Sequence, residues 1–65
     1  MQIIVFTKET GKLILYAGPY TRNDNKIVEL EGITDVESSG DMYYARANGV
    51  VKLRVPIIKT NVIYK

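Results

Sequence analysis

The sequence predicts an all-β fold: a small antiparallel barrel or rolled meander of five to six strands, built on two hairpins and of SH3-like or OB-like size. Residues 41–57 hold two strand-like runs joined by Asn48-Gly49, a dipeptide typical of hairpins because a type I′ turn needs positive φ at both central residues. Residues 2–17 hold a second pair of apolar runs around a turn that ends at Gly11. No amphipathic helix is evident, so strands are the predicted elements.

The first hairpin consists of strands at residues 2–7 and 13–17, with Gly11 at a left-handed position of the turn. Neither strand alternates: the runs Ile-Ile-Val-Phe and Leu-Ile-Leu-Tyr are continuously apolar, so both faces of this hairpin favour burial. Either the sheet rolls into a barrel, or another subunit covers one face. Half of these side chains must be core, and the pattern leaves open which half.

The middle of the chain is more polar. Gly18-Pro19 ends the second strand, and residues 21–25 form a loop of turn-forming residues. Residues 26–31 alternate as a third strand with Val28 and Leu30 on its apolar side, while Ile27 falls with the acids at a rim. Residues 34–37 have a capping-box pattern that predicts at most one helical turn, or else a simple loop.

The two-residue Asn-Gly loop fixes the register of the second hairpin and sorts its two faces. The predicted core face carries Met42, Tyr44, Val51, Leu53 and Val55, with Arg46 near the turn. The predicted solvent-facing side of this hairpin carries Tyr43, Ala45, Ala47, Val50, Lys52 and Arg54. Pro56 indicates a strand end or an edge position. Residues 59–65 are a sixth strand that closes a barrel, or an arm that adds to the sheet edge of a neighbouring molecule.

Length and composition narrow the function. Residues 1–65 make one domain that is marginal alone and usually needs a staple. The chain has no Cys and no His, which removes disulfides, Cys/His zinc sites and the commonest general base. We therefore expect no enzyme, no metal and no cofactor. The remaining routes to stability are self-association and an unusually good core.

Charge is balanced overall but segregated along the chain. The formal net charge is +2, yet residues 24–41 hold six acids and one base, and residues 46–65 hold five bases and no acid. Such segments are either solvated faces of neighbouring strands or complementary patches that meet between copies in a ring or stack.

One constellation suggests nucleic-acid binding. In the predicted register the solvent-facing side of the second hairpin carries Tyr43, Lys52 and Arg54, with Arg46 near the tip of the hairpin. An aromatic ring beside cations can stack single-stranded bases. The alternative is that Tyr43 and Arg54 stack on each other as a cross-strand cation–π pair.

Targeting signals are absent from the pattern. No window resembles a signal peptide, no apolar run reaches membrane-spanning length, and no lipidation motif is present. We expect cytoplasmic synthesis and no membrane partner.

Two segments carry a family resemblance. Residues 4–14, IVFTKETGKLI, resemble the opening of many very small proteins encoded among tailed-bacteriophage tail and host-adsorption genes. Residues 43–56, YYARANGVVKLRVP, resemble the aromatic–variable–Asn-Gly–strand–Pro segment near the end of such proteins, although no Pro-rich tail follows Pro56. The resemblance implies a structural or assembly protein that self-associates or docks on a larger tail protein, in the host cytoplasm or the virion. It transfers no catalytic residue.

The leading hypothesis is therefore a non-enzymatic, oligomerising, tail-associated component or assembly helper. Its predicted interface residues are Ile3, Val5, Leu13, Leu15, Val62 and Tyr64. The alternative is a small nucleic-acid-binding or host-protein-inhibiting β-barrel module that uses Tyr43, Arg46, Lys52 and Arg54.

Overall fold

The computed structural model describes residues 1–65, which form seven β-strands and two short 3₁₀ turns. The strands are β1 (Gln2–Thr7), β2 (Lys12–Tyr16), β3 (Lys26–Leu30), β4 (Asp35–Ser39), β5 (Met42–Ala47), β6 (Val50–Pro56) and β7 (Thr60–Tyr64). The 3₁₀ turns cover Asn23–Asn25 and Ile57–Lys59. The all-β class is confirmed, with more strands than the five or six predicted.

The strands form two sheets. One has four strands in the order β3-β2-β1-β7, and the other has three in the order β4-β5-β6. They do not join into a closed barrel. All neighbouring pairs are antiparallel except β1 and β7, which run parallel. The antiparallel prediction is wrong at β7 because β6 ends at Pro56, and the turn after it carries the chain from the three-stranded sheet across to β1.

The first hairpin follows the sequence pattern. Gly11 has φ +73 and its N–H donates to the Thr7 carbonyl at 2.9 Å, which closes the turn as predicted. The Gly11 carbonyl in turn accepts a hydrogen bond from the Ile33 N–H at 2.9 Å. This bond attaches the hairpin turn to the segment between β3 and β4, where the chain passes from the four-stranded to the three-stranded sheet.

The second hairpin has the predicted turn but not the predicted register. Asn48 and Gly49 have φ +52 and +84, as a type I′ turn requires, and Ala47 faces Val50. A β-bulge then intervenes, so that Val51 faces Arg46 and the next pair joins Leu53 to Ala45. Lys52 is the extra residue of the bulge. An inserted residue reverses the faces of the strand opposite it, which a turn rule cannot foresee.

The bulge exchanges the two faces of β5 relative to the prediction. Ala45 is buried, and Tyr43 and Ala47 pack against the core, whereas Tyr44 faces outward opposite Arg54. On β6 the inward positions of Leu53 and Val55 agree with the prediction. Val51, predicted to be core, is 47% exposed.

Within residues 34–37 a strand begins at Asp35, and no helical turn forms. β4 pairs with β5 over its whole length, and Val36 packs against the core. The Thr34 hydroxyl accepts from the Asn48 N–H at 3.1 Å and lies 3.2 Å from the Arg46 carbonyl, to which it donates. The Thr34 hydroxyl therefore bonds to the backbone of the β5–β6 hairpin instead of capping a helix, and the capping-box prediction is wrong.

The core lies between the two sheets. The four-stranded sheet contributes alternate residues of β1 and β2, the three-stranded sheet contributes one residue from each of β5 and β6, and Ile33 closes the side. The cluster is Ile4, Phe6, Leu13, Leu15, Ile33, Ala45 and Val55, with Val28, Leu30, Val36, Tyr43, Ala47, Leu53 and Val62 packed around it.

Candidate interaction surfaces

The register of the four-stranded sheet separates its side chains into a core face and an outer face. Ile4 pairs with Leu15 and Val62, so these point toward the second sheet, whereas Ile3 and Val5 point away from it. We use the term outer face for the apolar positions on that solvent side. They are Ile3, Val5, Ile14, Tyr16 and Ile63.

The six predicted interface residues are therefore divided by the fold. Ile3 and Val5 lie on the outer face. Leu13 and Leu15 are 0% and 4% exposed within the chain's own core, so their assignment as interface contacts is wrong. Val62 packs against that core. Tyr64 lies at the sheet edge, 62% exposed, with its ring edge-on to Phe6 at 6.3 Å.

The outer face is partly covered by the chain's own loop. The Tyr20 ring lies 6.3 Å from the Tyr16 ring, and the Lys65 Nζ lies 5.5 Å from the Tyr20 ring centre. Tyr20 thus lies over the outer face between these two side chains. Val5 and Tyr16 are 8% exposed, in contrast to Ile3, Ile14 and Ile63, which are half-buried.

Charged residues border this face on the β3 side. The Glu29 carboxylate accepts hydrogen bonds from Lys26 Nζ at 3.0 Å and forms an ion pair with Lys12 Nζ at 3.2 Å. The hydrogen bond from Lys26, then that from Lys12, and the two positive charges hold the pKa of Glu29 below its ordinary value. Together with Lys65 at the opposite border, the rim carries three cations and one carboxylate.

The predicted nucleic-acid residues do not form one platform. Tyr43 points into the core, so its assignment to the outer surface is wrong, and Tyr44 takes its place opposite Arg54. Arg46 lies over the Tyr44 ring at 5.6 Å. It also forms ion pairs with Asp35 and Glu37 at 3.6 and 3.2 Å, so its charge is already compensated.

The pairing of β4 with β5 brings together charges that the sequence separates. Asp35 and Glu37 come from the acidic half of the chain and Arg46 from the basic half. Lys52 and Arg54 remain exposed without an acidic partner. Some of the opposite charges in the two halves of the chain thus form ion pairs within one molecule.

Other kinds of site have little basis in the structure. No group of three or more acidic side chains is placed to hold a metal ion. The one surface depression is open and lined only by Met1, Gln2, Ile58 and Lys59. No helix is long and apolar enough to cross a membrane.

Comparison of the chain with protein-family models, with curated proteins and with solved structures gives no match. The surfaces described above are therefore interpreted from their own chemistry.

Proposed function

We propose that this chain is a non-enzymatic structural or assembly protein of the tailed-phage type, and that it self-associates through the outer face of its four-stranded sheet. The occupant of that face is a second copy of the chain. Docking on a larger tail protein is the alternative occupant, and the experiment below separates the two.

The observation that carries the proposal is a sheet with two apolar faces and only one covering layer. The three-stranded sheet covers Ile4, Phe6, Leu13 and Leu15, while Tyr20 covers only part of the opposite face. Half-buried Ile3, Ile14 and Ile63 surround the buried Val5 on three adjacent strands, whereas scattered surface apolar residues are ordinary. A chain of this length without disulfide or metal gains most from burying such a patch.

The phage context comes from the two segments that resemble small tail and adsorption proteins. Their hairpins are the two hairpins of the structure, β1–β2 and β5–β6. The resemblance implies a protein that works by self-association or by docking on a larger tail protein, and it transfers no catalytic residue. That role is consistent with a chain that lacks His and Cys.

The test is the solution mass, measured by light scattering after size exclusion over a concentration series. We expect a discrete oligomer for the natural chain and a monomer for Ile14→Lys, because the substitution places a charge within the outer face, next to Val5. Val51→Lys is the matched control, since Val51 is 47% exposed on β6 of the three-stranded sheet, away from the outer face, and the substitution should leave the oligomer intact. Circular dichroism verifies that each variant folds.

A natural chain that stays monomeric at all concentrations would contradict self-association. If that monomer is nevertheless captured by a purified tail protein, and Ile14→Lys abolishes the capture, the outer face docks on a different partner instead of on a second copy.

A second candidate function is single-stranded nucleic-acid binding. The exposed Lys52 and Arg54 lie without acidic partners on the hairpin that presents Tyr44 outward, a ring on which a base can stack. Titration of labelled single-stranded DNA at low and moderate salt tests this candidate. Binding with a steep salt dependence, lost in Tyr44→Ala and Arg54→Ala but kept in Tyr43→Phe, would favour it.

A further inference from the structure

The free edge of β7 differs from the other three sheet edges. β3 carries the Lys26–Glu29 ion pair next to a register shift, and β4 carries Asp35 and Glu37. β6 carries a bulge and ends at Pro56. Charges, bulges and prolines are the usual features that prevent a sheet edge from pairing with another chain.

β7 has none of these features. Its sequence, Thr-Asn-Val-Ile-Tyr, contains no charge, no proline and no bulge, and it is rich in β-forming residues. Lys59 and Lys65 flank it on either side. The strand itself thus lacks the features that prevent edge pairing, and one lysine lies immediately before it and one immediately after it.

The backbone of β7 offers free hydrogen-bonding groups at this edge. The Lys65 N–H donates to the Phe6 carbonyl at 2.8 Å, so alternate residues of the strand direct their N–H and C=O toward β1. Val62 and Tyr64 lie at the intervening positions and direct theirs away from it. No backbone hydrogen bond outside the strand ladders involves either residue.

We propose that the β7 edge binds an extended segment of a partner protein by strand addition, and that this segment carries a carboxylate opposite each of Lys59 and Lys65. The main-chain groups of Val62 and Tyr64 supply the pairing, and the two lysines supply the selection.

Charge decides between this partner and a second copy. Antiparallel pairing of two β7 strands centred on Val62 brings Lys59, the last residue of the 3₁₀ turn before β7, close to Lys65 of the other copy. Like charges that meet across a strand pair are unfavourable. A partner strand with acids at those two positions replaces both repulsions with attractions. Neither lysine forms an ion pair within the chain. The Lys65 Nζ lies 5.5 Å from the Tyr20 ring centre, so it leaves that contact when it pairs with the carboxylate of the partner.

The test uses the full chain and a synthetic peptide, acetyl-Asp-Val-Thr-Val-Thr-Val-Asp-amide, with a control peptide that has Lys at both ends. Affinity and the backbone amide signals of Val62 and Tyr64 are followed by NMR. We expect the acidic peptide to bind about tenfold more tightly than the basic one and to protect both amides from exchange. The Lys59→Glu/Lys65→Glu variant should reverse the preference, whereas Lys52→Glu, at the β6 edge, should keep it.

Three results would overturn the proposal: equal affinity for the two peptides, signal changes at another edge, or protection of Val62 and Tyr64 that rises with protein concentration in the absence of peptide. The last result would mean that a second copy occupies the edge. Ile14→Lys should leave peptide binding unchanged, so this proposal and the proposed self-association can fail separately.

Discussion

Gly11 joins the β1–β2 turn to the segment between β3 and β4, and its position leaves little room for a side chain. Besides its left-handed φ of +73, a Cβ at this residue would lie 3.2 Å from the Ile33 carbonyl oxygen and 3.3 Å from its nitrogen. Gly40 has a similar φ of +62 but open space around it. Substitutions at the two glycines therefore separate the cost of backbone strain from the cost of the close contact with Ile33.

We expect Gly40→Ala to lower the free energy of unfolding by about 1 kcal/mol, the cost of a left-handed Ala. Gly11→Ala should cost about 1–2 kcal/mol more, because the backbone of Ile33 must move away from the new methyl group. Urea denaturation of both variants measures the difference. Equal losses would mean that Ile33 moves freely and that the turn is not held to the crossing segment.

The lowered pKa of Glu29 leads to a prediction about two lysine variants. Its pKa is lowered from the ordinary 4.5, first by the hydrogen bond from Lys26 and then by that from Lys12. A carboxyl group whose pKa is lower in the folded state than in the unfolded state stabilises the fold at pH values above its unfolded-state pKa. That contribution is lost as the pH falls through the folded-state pKa. Carboxyl chemical shifts followed by NMR should show the Glu29 pKa rise in Lys26→Met and in Lys12→Met. A Glu29 pKa that stays at the value of the natural chain in both variants would exclude the ion pairs as the cause of its lowering.

At the scale of the element, the β5–β6 hairpin shows how far a turn rule extends. Asn48-Gly49 determines the turn and the first two cross-strand pairs, and up to Val51 the predicted register is correct. One extra residue, Lys52, then exchanges Tyr43 and Tyr44 between core and surface. Both tyrosines suit a strand equally, so the sequence pattern had no local signal that could place the bulge.

This register makes a prediction that distinguishes the two tyrosines. Tyr43→Ala should lower the free energy of unfolding by about 2–3 kcal/mol, since the ring packs against the core. Tyr44→Ala should cost about 1 kcal/mol or less, because its ring contacts the Arg46 side chain on the outer side. Denaturant unfolding of the two variants provides the comparison. The unbulged register requires the opposite order, so a larger loss at Tyr44 would exclude the bulge.

The first hairpin shows the other limit of prediction from sequence. Continuous apolar runs correctly indicate that both faces favour burial, but they do not say which face the second sheet covers. That choice depends on β4, β5 and β6, which pair with one another and pack against this sheet through the core. The pattern therefore assigns Leu13 and Leu15 to an interface and does not single out Ile14, Tyr16 or Ile63. It does not identify Tyr20 either, because nothing in the loop sequence marks a residue that folds back over the outer face.

At the scale of the whole molecule, the seven strands leave a thin structure, with extents of 30 × 26 × 17 Å. Two layers are the minimum that can enclose a core, and here each layer has one face in solvent. The three-stranded sheet directs Arg46, Asp35 and Glu37 outward as an ion-paired surface. The four-stranded sheet directs isoleucines outward instead. This asymmetry between the layers is what favours an additional layer over the four-stranded sheet and not over its neighbour.

Self-association through that face makes thermal stability depend on concentration. Because a partner that binds only the folded chain stabilises it by mass action, the Tm of the natural chain should rise by about 3–6 °C for each tenfold increase in protein concentration above the dissociation constant. Ile14→Lys should show a Tm that is independent of concentration and equal to that of the dilute natural chain, if the lysine removes the contact without disturbing the fold. Val51→Lys, on the three-stranded sheet, should retain the natural dependence. A concentration-independent Tm for the natural chain, with Ile14→Lys unfolding at a lower temperature at every concentration, would instead mean that Ile14 stabilises a monomer. The cover that Tyr20 provides would then be sufficient, and the free edge of β7 would become the main interaction surface of the molecule.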